Sequence, residues 1–267
     1  MELGLLGGIA KLAGVVWLGA ALAAFFAQDK LIFQARPTPD AVREALAARH
    51  PEAYETFITA SDGTRLHAWH VKGAANSPLV LYFGGNAEEV SWMLDEIRRR
   101  GTDSAWLFID YRGYGGSGGA PSEDALTSDA LVWYDGFPRE NARVFAFGRS
   151  LGSGVAVYLA SQRRLDGVVL LTPFDSMLEV AKQHYPLLPV SLLLRHRFDS
   201  VSLAPKITAP LLCLAAQDDE VIPIEHARLL YGAWGGQKRF VELGGGHNGA
   251  DGHPDYWPAV RQFLANR

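Results

Sequence analysis

The stretch Val144-Phe145-Ala146-Phe147-Gly148-Arg149-Ser150-Leu151-Gly152 decides how this chain folds. Residues 144–147 are all β-branched, aromatic or alanine, a composition typical of a short strand buried on both faces. Residues 153–160 are rich in small side chains and contain no proline, so they favour a helix. The sequence therefore predicts a buried strand that turns sharply into a helix at Ser150.

Ser150 is the centre of a G-x-S-x-G motif that joins this strand to this helix. In that context the motif forms a nucleophile elbow, which holds the serine hydroxyl above the edge of the sheet. Glycine is needed on both sides because the backbone is strained and the helix packs close to the strand. We predict that Ser150 is a catalytic nucleophile; the alternative is a serine that only caps the helix.

A second G-x-S-x-G motif, centred on Ser117, provides an internal comparison. It follows a predicted strand at 106–109, but a loop that contains Pro121 comes after it instead of a helix. We interpret Ser117 as a loop serine without a catalytic role.

The rest of the chain alternates between apolar strands and helices. This alternation predicts an α/β fold with a mostly parallel sheet and helices on both faces, and a hairpin around Asp62-Gly63 adds antiparallel strands at one edge. The predicted strands cover residues 57–60, 66–71, 79–83, 105–109, 144–147, 167–171, 211–216 and 239–243. The predicted helices cover residues 40–48, 88–100, 123–134, 224–234 and 254–264, in addition to the helix after Ser150.

Residues 173–206 interrupt this alternation, because they are apolar and basic, contain four prolines and predict no strand. We expect a small helical cap over the edge of the sheet that carries Ser150, with residues 187–194 as its most apolar part. The alternative is a long surface excursion with a helix in it. Residues 31–267 are then one domain that contains the cap.

Residues 1–30 differ from the rest because residues 12–27 carry no charge. As a helix this segment spans about 24 Å, and the apolar residues before Lys11 bring it to the thickness of a bilayer. We expect a single-pass membrane anchor. The alternatives are a signal peptide cleaved near Ala21 and Ala23, or a buried or amphipathic helix. The flanking charges are too few to orient the segment across a membrane.

Composition limits the classes of protein that fit. A net charge of -4, without a basic stripe, gives no indication of nucleic-acid binding. Cys213 is the single cysteine, so no internal disulfide can form, and its apolar surroundings predict a buried thiol. The sequence contains no zinc-binding or phosphate-loop motif, so we expect no metal and no cofactor.

A serine hydroxyl needs a neighbouring base before it can attack a substrate. His247 is the best candidate, because it lies in a glycine-rich loop directly after the last strand, and such a loop is best explained by a side chain that it presents. The acid that orients this histidine is expected after the strand at 211–216. Asp218 and Asp219 are equally good candidates from the residues alone, and Glu220 is a weaker third.

The oxyanion of an acyl-transfer reaction needs two backbone donors. We predict the N–H of Leu151, which follows the nucleophile, and the main-chain N–H of Asn86 in the loop Gly84-Gly85-Asn86-Ala87. The small residues of this loop allow the backbone to approach a substrate closely.

Taken together, these stretches resemble the α/β-hydrolases, in particular the membrane-anchored serine hydrolases that include eukaryotic protein depalmitoylases. The resemblance runs from about residue 28 to the C-terminus and implies the α/β-hydrolase fold, with the chain order serine, aspartate, histidine. It aligns the acid with Asp219. It is carried by residues 29–37, 61–63, 82–87, 110–115, 148–152, 219–223 and 246–248. The family loop usually reads H-G-N, whereas Gly84 replaces the histidine here, which implies the loss of hydrogen bonds that brace the loop.

We therefore expect a serine hydrolase that cleaves a carboxylic ester or an acyl thioester through an acyl-enzyme, without a cofactor. The apolar cap and the N-terminal segment favour an acyl substrate near a membrane. The alternatives are a peptidase or amidase on the same fold, and a membrane-tethered binding protein without activity. The acyl chain length, the leaving group, the side of the membrane and the oligomeric state stay open.

Overall fold

The computed structural model describes residues 2–101, 103–138 and 143–265. The strands are β1 Ala53–Thr59, β2 Arg65–Val71, β3 Leu79–Phe83, β4 Ala105–Ile109, β5 Val144–Arg149, β6 Gly167–Leu171, β7 Leu211–Ala216 and β8 Lys238–Leu243. The helices are α1 Glu2–Ile32, α2 Asp40–Arg49, α3 Trp92–Arg100, α4 Glu123–Gly136, α5 Leu151–Gln162, α6 Met177–His184, α7 Val190–Leu193, α8 Ser200–Leu203, α9 Ile224–Ala233 and α10 Tyr256–Ala265.

The eight strands form one sheet in the order β1-β2-β4-β3-β5-β6-β7-β8. The pairs β1–β2 and β2–β4 are antiparallel, and every later pair is parallel. Strands β3, β6 and β7 are buried along their whole length, because helices cover both faces of the sheet. The predicted α/β fold with a leading antiparallel hairpin is confirmed.

Two apolar clusters hold the helices on the sheet, one on each face. Leu126 of α4, Val155 of α5 and Leu230 of α9 belong to one cluster. Ile97 of α3 and Val260 of α10 belong to the other. The central strands contribute alternate side chains to the two clusters, which fixes the position of the strand ends and of the loops that follow them.

The helix predicted over residues 88–100 is shorter than expected, because α3 begins at Trp92. The carboxylates of Glu88 and Glu89, just before the helix, accept local hydrogen bonds instead. Glu88 accepts a hydrogen bond from the backbone N–H of Gly85, and Glu89 accepts one from the hydroxyl of Ser91. These local bonds compete with a first helical turn and hold residues 88–91 in a turn instead.

Helix α1 is continuous and packs against residues 173–206, which we call the cap. Its stretch Lys11–Ile32 is long and apolar enough to cross a membrane. The indole Nε1 of Trp17 donates to the carbonyl oxygen of Leu187 at 2.6 Å, and Gln28 Nε2 donates to the carbonyl oxygen of Leu193 at 3.1 Å. The C-terminal half of α1 therefore lies along the protein.

The cap contains α6, α7 and α8 and lies between β6 and β7 in the chain. Buried side chains fix it to the body of the molecule. His226 of α9 lies between Asp175 and Gln183, with its two ring nitrogens 2.7 and 2.9 Å from their side-chain oxygens. The carboxylate of Glu123 accepts hydrogen bonds from the backbone N–H groups of Arg197 and Phe198.

Candidate active site

The turn from β5 into α5 holds Ser150 in a strained conformation, with φ 49° and ψ −115°. Such a conformation costs about 1–3 kcal/mol in a residue other than glycine, and the surroundings must stabilise it. The backbone N–H of Ser150 donates to the carbonyl oxygen of Leu171 at 2.9 Å. A Cβ on Gly152 would lie 2.1 Å from the carbonyl oxygen of Phe83, and one on Gly148 would lie 2.4 Å from that of Gly152. Both glycines of the motif are therefore required by close packing.

Ser150, His247 and Asp219 form a continuous chain of polar contacts. The Oγ of Ser150 lies 2.9 Å from Nε2 of His247. The other ring nitrogen, Nδ1, lies 2.8 Å from Oδ2 and 3.0 Å from Oδ1 of Asp219. The three residues come from loops that follow β5, β7 and β8, at one edge of the sheet. In this arrangement the histidine can take the proton of the serine while the carboxylate holds the ring in place.

The structure distinguishes between Asp218 and Asp219, which the sequence alone left as equal candidates for the acid. Asp219 is buried, and its Oδ1 accepts hydrogen bonds from the backbone N–H groups of Val221 and Ile222 at 3.0 and 2.7 Å. Asp218 is exposed, and its backbone N–H donates to the carbonyl oxygen of Gly245. Only Asp219 reaches the imidazole.

The predicted oxyanion donors lie beside the serine. Asn86 and Leu151 line the same cavity as Ser150. Within the described part of the chain, no hydrogen bond is assigned to the backbone N–H of either residue. The side chain of Asn86 has a separate partner, because its Oδ1 accepts a hydrogen bond from the backbone N–H of Gln34 at 2.8 Å. Both N–H groups are thus available to a negatively charged oxygen.

The loop that carries Asn86 is braced without the histidine that Gly84 replaces. The Oε2 of Glu88 accepts a hydrogen bond from the N–H of Gly85 at 2.6 Å, and the hydroxyl of Tyr111 donates to the carbonyl oxygen of Gly84 at 2.9 Å. Burial raises the pKa of the Tyr111 phenol well above its ordinary value, so it stays protonated as a donor. The carboxyl carbon of Glu88 lies where a side chain on Gly84 would project, 3.1 Å from an ideal Cβ.

Glu88 is the residue of this site that sequence reasoning missed. Its Oε1 also accepts hydrogen bonds from the hydroxyl of Tyr82 at 2.7 Å and from Nε1 of Trp92 at 2.9 Å. Burial and the nearby carboxylate raise the pKa of Tyr82, which keeps it a donor. An acidic residue in a turn is usually solvated, so its sequence carries no signal of this role. The two aromatic donors come from other elements, and only the fold brings them together.

An apolar cavity of about 260 Å³ opens at Ser150. One wall is formed by Ala24, Gln28, Leu31 and Ile32 of α1. Most of the other lining residues belong to the cap, namely Met177, Val180, Ala181, His184, Tyr185, Leu188, Val190, Leu193 and Leu194. The floor of the cavity is the serine itself with Leu151 and Phe174. The cavity therefore offers an apolar chain a path that ends at the candidate nucleophile.

A second opening, the polar cleft, approaches Ser150 from another direction. Its volume is about 340 Å³, and Arg149, Glu88, His247 and Asn248 contribute polar groups to it. The guanidinium of Arg149 lies 3.4 Å from the carboxylate of Asp251, so its charge is balanced nearby. The serine hydroxyl and the imidazole thus lie where an apolar cavity meets a polar cleft.

The remaining polar clusters have other partners. The hydroxyl of Ser117 donates to the carbonyl oxygen of Asp110 and accepts from the backbone N–H of His67. The ring of that histidine lies 2.6 Å from Asp110 Oδ2 and 3.2 Å from Glu55 Oε1. No cluster of three or more His, Cys, Asp or Glu residues suited to a metal ion occurs in the described ranges.

The chain is similar in sequence and in fold to several known proteins. The family described as "Serine hydrolase" matches residues 137–266. An uncharacterised protein of Mycobacterium tuberculosis is 34% identical over 96% of this chain and 94% of its own length. The human "Alpha/beta hydrolase domain-containing protein 17B" is 30% identical over 82% of this chain and 78% of its own length. The solved structure of the Pyrococcus furiosus esterase Pf2001 superposes with a TM-score of 0.62 at 18% identity, over 82% of this chain and 92% of that one, a likeness of fold alone.

Proposed function

Because the chain belongs to the α/β-hydrolase family of serine hydrolases, we propose that it hydrolyses a carboxylic ester or an acyl thioester through an acyl-enzyme on Ser150. The observation that carries the proposal is the 2.9 Å distance between Ser150 Oγ and His247 Nε2 at the junction of the apolar cavity and the polar cleft. The cavity accepts the acyl chain, and the cleft accepts the alcohol or thiol that leaves.

The reaction proceeds in two halves. Ser150 Oγ attacks the carbonyl carbon while Nε2 of His247 takes its proton, and the N–H groups of Leu151 and Asn86 stabilise the negative oxygen. The bond to the leaving group then breaks, and the imidazolium returns the proton to the departing oxygen or sulfur. A water molecule, deprotonated by the same imidazole, then attacks the acyl carbon. The bond from that carbon to Ser150 Oγ breaks, the imidazolium returns the proton to Oγ, and the carboxylic acid leaves. Asp219 orients the ring and stabilises its charged form throughout.

The substrate class follows from the two openings and from α1. Apolar side chains dominate the cavity walls, so burial of methylene groups there contributes to binding by about 0.8 kcal/mol each. The stretch Lys11–Ile32 has the length and composition of a membrane span. We propose that α1 anchors the protein to a membrane and that the substrate carries a medium or long acyl chain. Much faster turnover of short, water-soluble esters would contradict this assignment.

A fluorophosphonate probe tests the nucleophile directly, because it reacts only with an activated serine. We expect labelling of the wild type and of Ser117→Ala, and complete loss of labelling in Ser150→Ala. Since Ser117 lies in the other G-x-S-x-G motif, it is the matched control. An unlabelled but folded wild type would overturn the proposal and favour a binding protein without activity.

The bond that is cleaved is tested by paired substrates. We expect dodecanoyl esters and thioesters to be hydrolysed, and the amide with the same acyl chain to be hydrolysed far more slowly. Equal rates on the ester and the amide would assign the protein to the amidases instead, because both classes use the same three side chains.

A further inference from the structure

Exposed apolar side chains are concentrated in two adjacent parts of the molecule. On α1 they are Leu12, Val15, Val16, Trp17, Leu18, Leu22, Phe26 and Leu31. On the cap they are Tyr185, Leu187 and Leu192, of which the two leucines are 82% and 84% exposed. Soluble proteins rarely expose so many neighbouring apolar side chains to water, so these residues mark an interaction site.

The cap reaches far along α1. The contact between Trp17 and Leu187 lies about 22 Å along the helix axis from Ile32, where α1 ends. The hydrocarbon core of a bilayer is about 30 Å thick. If α1 lies in a membrane, the part of the cap at Leu187, which we call its tip, cannot stay in the aqueous phase, because it is held at the depth of Trp17.

Hydrogen bonds and ion pairs hold α1 firmly against the cap. Gln28 is buried, its Nε2 donates to the carbonyl oxygens of Phe25 and Leu193, and its Oε1 accepts from the backbone N–H of Arg195. The carboxylate of Asp29 lies 2.8 Å from the guanidinium of Arg195 and 2.9 Å from the imidazole of His196. These charged groups are at the end of α1 nearest the body of the protein, where a bilayer surface would meet water.

We propose that α1 and the tip of the cap enter the same leaflet of a bilayer together, and that an acyl chain passes directly from that leaflet into the apolar cavity between them. Ala24 and Leu31 of α1 line this path together with Leu188 and Leu193 of the cap. The inference rests on the proposed function and deepens it, because the N-terminal helix becomes a wall of the acyl-binding site. The substrate is therefore an acyl ester or thioester whose chain is embedded in a bilayer.

Insertion of the cap is tested without any measurement of activity. Cys213 is fully buried and burial raises the pKa of its thiol, so a dye attached to an introduced cysteine labels that position alone. We expect an environment-sensitive dye on Leu187→Cys to shift its emission to the blue on phosphatidylcholine vesicles and to be quenched by lipids brominated on their acyl chains. The same dye on Tyr54→Cys, at the far edge of the sheet, should show neither effect. An unquenched dye on Leu187→Cys in vesicle-bound protein would overturn the proposal.

The path of the acyl chain is tested by narrowing it. Ala24 lines the cavity, whereas its neighbour Ala23 is exposed and does not. We expect Ala24→Trp to lower kcat/KM for a dodecanoyl ester by roughly tenfold or more relative to a butyryl ester, and to weaken binding of a fluorescent fatty acid equally. Ala23→Trp should change neither. An unchanged chain-length preference in Ala24→Trp would overturn the proposed path.

These outcomes are distinct from a failure of the proposed function. A wild type that turns over no ester and resists fluorophosphonate would refute the hydrolase proposal, while the dye and fatty-acid measurements would still decide where the cap and the chain lie. Conversely, an active enzyme whose cap tip stays in water on vesicles would refute only the present inference.

Discussion

Asp218 and Asp219 are neighbours in the sequence but lie in opposite environments. Replacement of Asp219 by asparagine keeps the shape of the side chain but removes the charge that stabilises the imidazolium of His247. We expect Asp219→Asn to lower kcat for ester hydrolysis by about 10⁴-fold, the loss typical of such triads, with the fold intact. Asp218→Asn, which changes an exposed carboxylate, should stay within about twofold of wild type.

The two variants, Asp219→Asn and Asp218→Asn, also test which of the two aspartates is the acid of the site. If Asp218→Asn caused the larger loss, the acid would be misassigned and the loop after β7 would have to rearrange during the reaction. Far-ultraviolet circular dichroism of both variants checks that the loss is not one of folding.

Glu88 determines the position of the oxyanion loop through three donors. Replacement by glutamine turns one of its two acceptor oxygens into a donor, so it cannot satisfy Gly85, Tyr82 and Trp92 together. We expect Glu88→Gln to lower kcat by roughly tenfold with little change in KM, because the loss of one well-placed hydrogen bond costs about 1.4 kcal/mol in the transition state. Pre-steady-state measurement of acyl-enzyme formation checks this.

Glu89→Gln is the matched control for that variant. The carboxylate of Glu89 bonds to Ser91 and does not reach the loop. Equal effects of the two substitutions would mean that Glu88 acts on stability and not on the position of the loop.

At the scale of single elements, the close contact between α5 and β3 has a clear energetic consequence. A methyl group on Gly152 would overlap the carbonyl oxygen of Phe83, at 2.1 Å from it, so α5 would have to move away from the sheet. We expect Gly152→Ala to lower the free energy of unfolding by about 3 kcal/mol and to abolish activity. Urea denaturation measures the first effect.

Gly232 of α9, unlike Gly152, has room for an added methyl group. It lies inside a helix, and no atom lies within 4 Å of the position of an added Cβ. Gly232→Ala should therefore raise the free energy of unfolding by about 0.5–1 kcal/mol, because alanine loses less conformational freedom in a helix. Destabilisation by this variant would contradict the open space that the structure has around Gly232.

Elements that are buried on both faces could be predicted from the sequence, and edge elements less well. Strands such as β3 and β6 are continuous apolar runs, so their ends were predicted correctly. The first strand was predicted to begin at residue 57, but β1 begins at Ala53. Its first residues lie at the edge of the sheet, where Tyr54 is exposed, so the apolar pattern is weak there.

At the scale of the whole molecule, the sequence predicts the chemistry of the site better than its surroundings. That Ser150, His247 and Asn86 come together could be predicted because each follows a strand, and the strand ends meet at one edge. The contact of Trp17 with Leu187 joins residues 170 positions apart. Local periodicity carries no information about such a pair, so the sequence indicated an anchor but not that the same helix also lines the cavity.

Two truncations test whether the halves of α1 have different roles. Removal of residues 1–16 keeps Trp17 and the helix that follows it, so we expect the preference for long acyl chains to persist while vesicle binding weakens. Removal of residues 1–32 opens the apolar cavity to water, because the last turns of α1 form one of its walls. We expect this shorter protein to lose the chain-length preference and to have a lower Tm. A preference that survived the longer truncation would mean that the cap alone binds the acyl chain, and α1 would then be an anchor and nothing more.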